Sequence, residues 1–275
     1  MNRFVELWLS NYHGLTLKSY AHTLQMFLKE VGELESITSL FVREWLNNLD
    51  TAPTTKQKHL ACLRSFFNWL IEQEGSPISH NPIGKKFKLP KSQNTLHERI
   101  LTPEEVNELL FAAERVVNRR DYLLIKTLYM LGLRISEGCS LKWRDFHPGK
   151  TGTKVTIFGK GGKTRSVSVP AGFWEELVAW QGDVKKGFVF ATKSGKALSR
   201  TNLHCAIKKA AAAAGLENGE WVSCHWLRHS HATHSLDNGA PIHLVQQSLG
   251  HASLETTGKY VHVLGGKGSG DYLQA

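Results

Sequence analysis

The sequence predicts a mainly α-helical protein with a small antiparallel β-sheet, divided into an all-helical N-terminal domain and an α+β C-terminal domain. Three observations carry this prediction. Apolar residues recur at three- and four-residue steps through residues 1–80, a stretch rich in Pro, Gly and Lys interrupts the pattern over 76–98, and beyond it two short segments alternate apolar and polar with period two among further helices. A chain of 275 residues is long enough for two separate cores.

In the N-terminal part, a short helix is expected around Phe4–Leu9. The stripe Leu17, Tyr20, Leu24, Phe27, Leu28 and Val31 predicts an amphipathic helix, with Thr16 as its N-cap and Gly32 as its end. A second stripe through Leu40, Phe41, Trp45 and Leu46 predicts a helix from Thr38 to Leu49. A third helix starts at Pro53-Thr54-Thr55, carries Leu60, Leu63, Phe66, Phe67, Leu70 and Ile71, and stops at Gly75. Together these make a four-helix bundle over residues 1–84. Lys18, Lys56, Lys58, His59 and Arg64 are expected on its surface, as solvated charge or as contacts to a polyanion.

Ser76-Pro77, Asn81-Pro82, Gly84 and Pro90 discourage regular structure, and Lys85, Lys86, Lys88 and Lys91 come with no acid among them. Residues 85–98 are therefore read as a basic linker, a strap suited to a phosphate backbone. The second domain, 99–264, opens on Thr102-Pro103-Glu104-Glu105. Thr102 as N-cap, Pro103 at the first helical position and Glu105 three residues on spell a capping box, with the helix running to about Val117.

A buried helix from Tyr122 to Leu131, a turn at Gly132 and a short helix to Leu141 follow. Residues 154–158 and 165–169 form a β-hairpin joined by Gly159-Lys160-Gly161-Gly162-Lys163, and Phe188-Val189-Phe190 reads as a short strand. Helices are expected over 171–181, 199–214 and from 225 onward. The glycine-rich tail, 265–275, is expected to be a flexible hinge ahead of Asp271-Tyr272-Leu273.

The totals limit the function. Lys and Arg number 34 against 24 Asp and Glu, a net charge of +10, which favours a polyanionic partner. No apolar run spans a bilayer and the N-terminus lacks signal-peptide features, so a cytoplasmic protein is expected. Cys62, Cys139, Cys205 and Cys224 lie far apart without a CxxC pair, as expected of reduced and mostly buried thiols.

Several polar residues sit where a core does not want them: Arg134, Glu137, Lys160, His225, Arg228, His251 and Tyr260. Arg134 follows a buried helix and a glycine turn, and Glu137 lies one helical turn later, in reach of its guanidinium. Arg offers a planar fork of donors, His donates or shuttles a proton, and a Tyr oxygen is a nucleophile. That set suits a phosphate.

Five motifs in order resemble the tyrosine recombinases, the phage integrase and Xer family of site-specific DNA recombinases. They are Leu131-Gly132-Leu133-Arg134-Ile135-Ser136-Glu137, Gly159-Lys160-Gly161, His225-Trp226-Leu227-Arg228-His229, Leu249-Gly250-His251, and Tyr260 nine residues beyond that histidine. The resemblance spans the whole chain. It implies a SAM-like helical core-binding domain, a linker, and a catalytic domain of the DNA breaking-rejoining type.

By the same resemblance, Tyr260 attacks the scissile phosphate to give a 3′-phosphotyrosine while Arg134, Arg228, His225 and His251 stabilise the reacting phosphoryl group. Lys160 protonates the departing 5′ oxygen, with Lys163 in the same hairpin but outside the Gly-Lys-Gly context, and Glu137 orients Arg134. The resemblance further implies double-stranded DNA as partner, a homotetramer on two sites, and no metal, ATP, other cofactor or small-molecule substrate, because the covalent link conserves the bond energy.

Three rival readings differ in chemistry. His225, His229, His231 and His234 are dense enough for a metal, but no Glu follows His225 as in HExxH, and Arg228 would repel a cation. A DNA-binding protein without chemistry accounts for the charge but not for Tyr260, Lys160 and the two Arg motifs. A type IB topoisomerase would use similar chemistry to relax supercoils of any sequence.

Overall fold

The computed structural model describes residues 3–84, 86–90, 97–159, 162–182 and 186–261. Of the residues singled out above, Lys85, Lys91 and Lys160 lie outside that set, as does the tail 265–275. The chain divides into two compact units, Met1–Asn94 and Thr95–Ala275, each with its own core.

The first unit contains α1 (Arg3–Leu9), α2 (Gly14–Glu30), α3 (Ser39–Asn48) and α4 (Pro53–Leu70). Their apolar stripes meet around Trp8, Leu24, Phe27, Trp45, Leu63, Phe66, Phe67 and Leu70, all almost fully buried. Burying each such side chain contributes about 1.5–3 kcal/mol, and the rings meet mostly edge to face, as at Phe27–Trp45 with centroids 5.0 Å apart.

Several local expectations are corrected here. His13, not Thr16, is the N-cap of α2, and the helix ends at Glu30, where Val31 turns extended before Gly32 is reached. Thr38 caps α3 by accepting from the Phe41 amide. Leu40 lies one step off the stripe and is exposed, as is Ile71, which lies beyond the end of α4.

His59 is buried rather than superficial, bonded through Nδ1 to Thr23 Oγ1 at 2.9 Å. Arg64 is half-buried and donates to the Phe87 carbonyl at 2.7 Å. That bond changes the picture of the basic stretch. Ile83 and Phe87 are buried in the first unit's core, so this part of the strap is fastened to the bundle while Lys86 and Lys88 remain exposed. Alternation of two apolar anchors with lysines explains both facts.

The second unit begins with α5 (Pro103–Val116), whose capping box is complete: Thr102 Oγ1 accepts from the Glu105 amide and Glu105 accepts from the Thr102 amide at 2.7 Å. Then come α6 (Arg119–Met130), α7 (Ile135–Cys139), the strands β1 (Phe146–Gly149), β2 (Gly152–Phe158) and β3 (Thr164–Val169), α8 (Ala171–Gln181), α9 (Arg200–Ala214), α10 (Cys224–Asp237), α11 (Ile242–Leu249) and α12 (Leu254–Val261). α6 runs through the core with Leu123, Leu124, Ile125 and Leu128 fully buried. The alanines of α9 let it approach α5 closely, and Ala210 and Ala211 are completely covered.

The strands form an antiparallel sheet in the order β1-β2-β3. In the hairpin, Ile157 faces Arg165 and Phe158 faces Thr164. β1 is an addition to the expected hairpin; its His147-Pro148-Gly149 gives no period-two signal. Phe188-Val189-Phe190 is not a strand. It makes only an isolated bridge from Phe188 to Lys142, and Val189 and Phe190 turn into the core. Cys62, Cys139 and Cys224 are buried, Cys205 is exposed, and all four are free thiols. Among the described residues no helix is long and apolar enough to cross a membrane.

Candidate functional site

The site is assembled by turns at helix ends, each dictated locally. α6 stops because Gly132 adopts φ +59°, a conformation disfavoured for residues with a Cβ, and the turn throws Leu133 into the core and Arg134 to the start of α7. Glu137 accepts from the Arg134 amide at 2.8 Å and from the Arg134 guanidinium at 3.0 Å. The rest of the Arg134 side chain stays open, 41% exposed. α11 stops in the same manner at Gly250 (φ +67°), with the amides of Gly250 and His251 both bonded to the Gln246 carbonyl.

Arg228, on α10, ties these two turns together. Its guanidinium donates at 2.6 Å to the Gly132 carbonyl, two residues before Arg134, and at 2.6 Å to the Leu249 carbonyl, two before His251. It is 4% exposed. Burial and the nearby Arg134 cation lower its pKa to about 10, which still leaves it charged at neutral pH.

Tyr260 stands in the last turn of α12. Its ring packs on Ala232, Val245 and Leu249 and lies parallel to His251, with centroids 6.2 Å apart. The residue is only 4% exposed, but its hydroxyl meets a polar partner, His229 Nδ1, at 2.7 Å. Burial raises the phenol's pKa, and the Arg228 and Arg134 cations offset only part of that rise. His251 Nδ1 bonds the buried Thr257 hydroxyl at 2.9 Å, fixing the ring against α12.

The imidazoles are held neutral. Burial, with Arg228 and Arg134 alongside, pushes His251 down to about 4, and burial with His225 and Arg228 does the same to His229. His225, exposed at its edge, is lowered as well, by partial burial first and then by the same two cations. In the tautomer that carries its proton on Nε2, a neutral His229 accepts the phenol's hydrogen at Nδ1.

Arg134, Glu137, His225, Arg228, His251 and Tyr260 thus gather in one neighbourhood of the second unit. An open depression of about 800 Å³ is lined by Arg134, Glu137, Lys163, Arg165 and His251. Lys163 is exposed at the base of the hairpin loop, where its carbonyl accepts from the Gly159 amide at 2.7 Å. Among the described residues no group of three or more His, Cys, Asp or Glu side chains is arranged to hold a metal.

Two participants escaped the sequence. Arg165, which looked like an ordinary polar position of a half-exposed strand, makes a two-armed contact to Glu137 at 2.8 Å and 2.8 Å. Its position on the partly buried β3 gave no signal beyond its charge. His229 closes the His225–His229 motif and belongs to a crowded histidine run, but nothing in the sequence marks it as the partner of the Tyr260 hydroxyl.

The chain matches the model of the phage integrase family over residues 99–265 and that of the phage integrase N-terminal SAM-like domain over residues 4–74. It is 31% identical over 261 residues to tyrosine recombinase XerC of Xanthomonas campestris pv. campestris, covering 88% of this chain and 79% of that one. Among solved structures, the XerH site-specific recombinase in a post-cleavage complex with its palindromic difH substrate superposes with a TM-score of 0.79 at 28% identity, covering 90% of this chain and 76% of that one. A lambda integrase fragment, residues 75–356, crystallised as a dimer on a core site, has the same fold, with a TM-score of 0.80 at 20% identity, covering 97% of this chain and 95% of that one.

Proposed function

Since the chain belongs to the phage integrase family of tyrosine recombinases, we propose that it is a site-specific DNA recombinase that breaks and rejoins duplex DNA through a covalent bond between Tyr260 and a 3′ phosphate. The observation that carries the assignment of Tyr260 is its surroundings: a phenol beside His251 and His229 that feels both the Arg228 and Arg134 cations.

In this reading the phenolic proton of Tyr260 passes to neutral His229 Nδ1 as its oxygen attacks phosphorus, the bond to the 5′ oxygen breaks, and Lys160 delivers a proton to the leaving oxygen, which as an alkoxide would depart poorly. Arg134 and Arg228 supply positive charge to the non-bridging oxygens, and neutral His225 and His251 donate hydrogen bonds to them. Glu137 orients Arg134. The phosphotyrosine keeps the energy of the broken bond, so rejoining needs no ATP. Because the phenol is covered and bonded to His229, DNA binding must uncover it before attack.

Residues 1–84 act as the core-binding domain, 85–98 as a linker whose Lys85, Lys86, Lys88 and Lys91 lie along the phosphate backbone, and 99–264 as the catalytic domain. The reaction calls for two duplexes and a homotetramer, in the cytoplasm where the DNA is. A tetramer of lambda integrase on a Holliday junction, a relative in fold, supports the assembly.

The test is covalent capture. Wild-type protein incubated with sheared genomic DNA of its source, followed by sequencing of the fragments that resist protein removal, should recover one short sequence. A nicked duplex carrying that sequence should yield an adduct with wild type and none with Tyr260→Phe. An adduct that survives Tyr260→Phe would overturn the assignment of the nucleophile, and relaxation of any plasmid regardless of sequence would favour a topoisomerase instead.

A further inference from the structure

The two carboxylate oxygens of Glu137 are completely subscribed. Oε1 accepts from Arg134 at 3.0 Å and from Arg165 at 2.8 Å; Oε2 accepts from the Arg134 amide at 2.8 Å and from Arg165 at 2.8 Å. The side chain is 4% exposed and carries one negative charge against two guanidiniums.

The two cations are bound unequally. Arg165 is 9% exposed, and all three of its guanidinium nitrogens are engaged: two lie on Glu137 in the fork geometry that best matches a carboxylate, and Nε donates to the Ser248 carbonyl at 2.6 Å. Arg134 makes one single-armed side-chain contact and leaves the rest of its guanidinium facing the open depression.

The position of Arg165 is fixed from outside the pair. It sits opposite Ile157 in the hairpin and crosses to the end of α11, where a Cβ on Gly250 would come within 3.0 Å of its Cδ. α7, β3 and the turn before His251 therefore converge on this one side chain.

We propose that Arg165 is a positioning residue: by neutralising Glu137 it keeps Arg134 from becoming the carboxylate's sole counter-ion and so leaves the Arg134 charge available to a bound phosphate. A buried carboxylate without a partner is costly. Were Arg165 neutral, the nearest cation is Arg134, which would fold onto Glu137 with both arms and turn away from the depression. This rests on the phosphate-binding reading of the site given above, and it extends that reading to a residue on a different element.

The consequence is a reversal of sign that a brace of purely structural importance would not show. Removing Arg165 alone should disable the anion site, whereas removing Glu137 as well should recover part of it. The probe is sodium tungstate, a phosphate-shaped dianion whose binding needs no knowledge of the DNA sequence, titrated calorimetrically into the full chain at constant ionic strength and neutral pH.

Arg165→Gln is expected to weaken tungstate binding about tenfold or more. Arg165→Lys, which keeps the charge without the fork, should fall in between. Glu137→Gln combined with Arg165→Gln should bind more tightly than Arg165→Gln alone, because the competing carboxylate is gone, but short of wild type, because Glu137 also orients Arg134. Melting temperatures on every variant separate loss of fold from loss of binding. Should Arg165→Gln not fold, the Lys variant and the double variant still carry the comparison with wild type.

Unchanged binding in Arg165→Gln, or a double variant that binds no better than Arg165→Gln, overturns the role of Arg165 and leaves the anion site standing. No binding to wild type removes the anion site and this inference with it, while the adduct on Tyr260 is judged separately by covalent capture.

Discussion

At Gly132 the backbone and the packing impose the same requirement. With φ at +59°, a side chain there costs about 1–2 kcal/mol from backbone crowding alone. A Cβ would also come within 2.5 Å of the His231 ring and 2.9 Å of a Leu249 methyl, both well inside contact distance. The carbonyl of the same residue receives one arm of Arg228. Gly132→Ala should therefore destabilise the protein by more than about 2 kcal/mol, measured as a lower midpoint in urea, and should disturb Arg134 and Arg228 together. An alanine variant that unfolds at the wild-type midpoint would mean that the turn is not held as described. The motif in the sequence marks where Arg134 is. The physical demand on the glycine before it comes from His231 and Leu249, almost a hundred residues and more away along the chain.

At the scale of one element, α10 concentrates His225, Arg228, His229, His231 and His234 in 14 residues. Burial and the Arg228 charge lower His229 to about 4, and burial above all lowers His231 to about 4, against an ordinary value of 6.5. The unfolded chain takes up these protons as the pH falls through about 6.5, and the folded chain only near 4. The stability these two imidazoles confer is thus complete above 6.5, declines between 6.5 and 4, and changes no further below that. His251, lowered to about 4 beyond α11, adds to the same decline. Glu137 acts lower on the scale. Burial raises its pKa, but bonds from Arg165 and the Arg134 amide outweigh this, so its stabilisation is lost only as the pH falls below the ordinary carboxylate range. Melting temperature followed by circular dichroism from neutral pH downward should fall through this window, and His229→Gln should flatten part of the slope. A melting temperature constant between pH 6.5 and 4 would contradict neutral, shielded imidazoles on α10.

For the whole molecule, the net charge of +10 sets how it meets DNA. Each phosphate neutralised releases counterions, so the logarithm of the affinity should fall linearly with the logarithm of salt concentration, with a slope of about −0.9 per contact. We expect a slope steeper than about −3 in a gel-shift titration on a duplex of any sequence. Replacing Lys86 and Lys88, exposed on a segment whose Phe87 is anchored in the first core, should make the slope shallower by up to about 2. A flat response would show that the surplus charge does not meet phosphate.

What the sequence determined by itself is local. The capping box at Thr102 closes within three residues, the stripes of α2, α3 and α4 report which side of each helix is apolar, and the order of the Arg, Lys, His and Tyr motifs carried the family. These signals survive in one dimension because their partners are one helical turn apart, or because the chemistry requires particular side chains. The tertiary structure decided what each face meets. His59 bonds Thr23 across 36 residues, Glu137 and Arg165 pair across 28, and the Tyr260 hydroxyl finds His229 across 31. Periodicity states that a residue turns inward but not which group awaits it, and a buried charge or hydroxyl is settled only by the donor or acceptor that folding brings within reach.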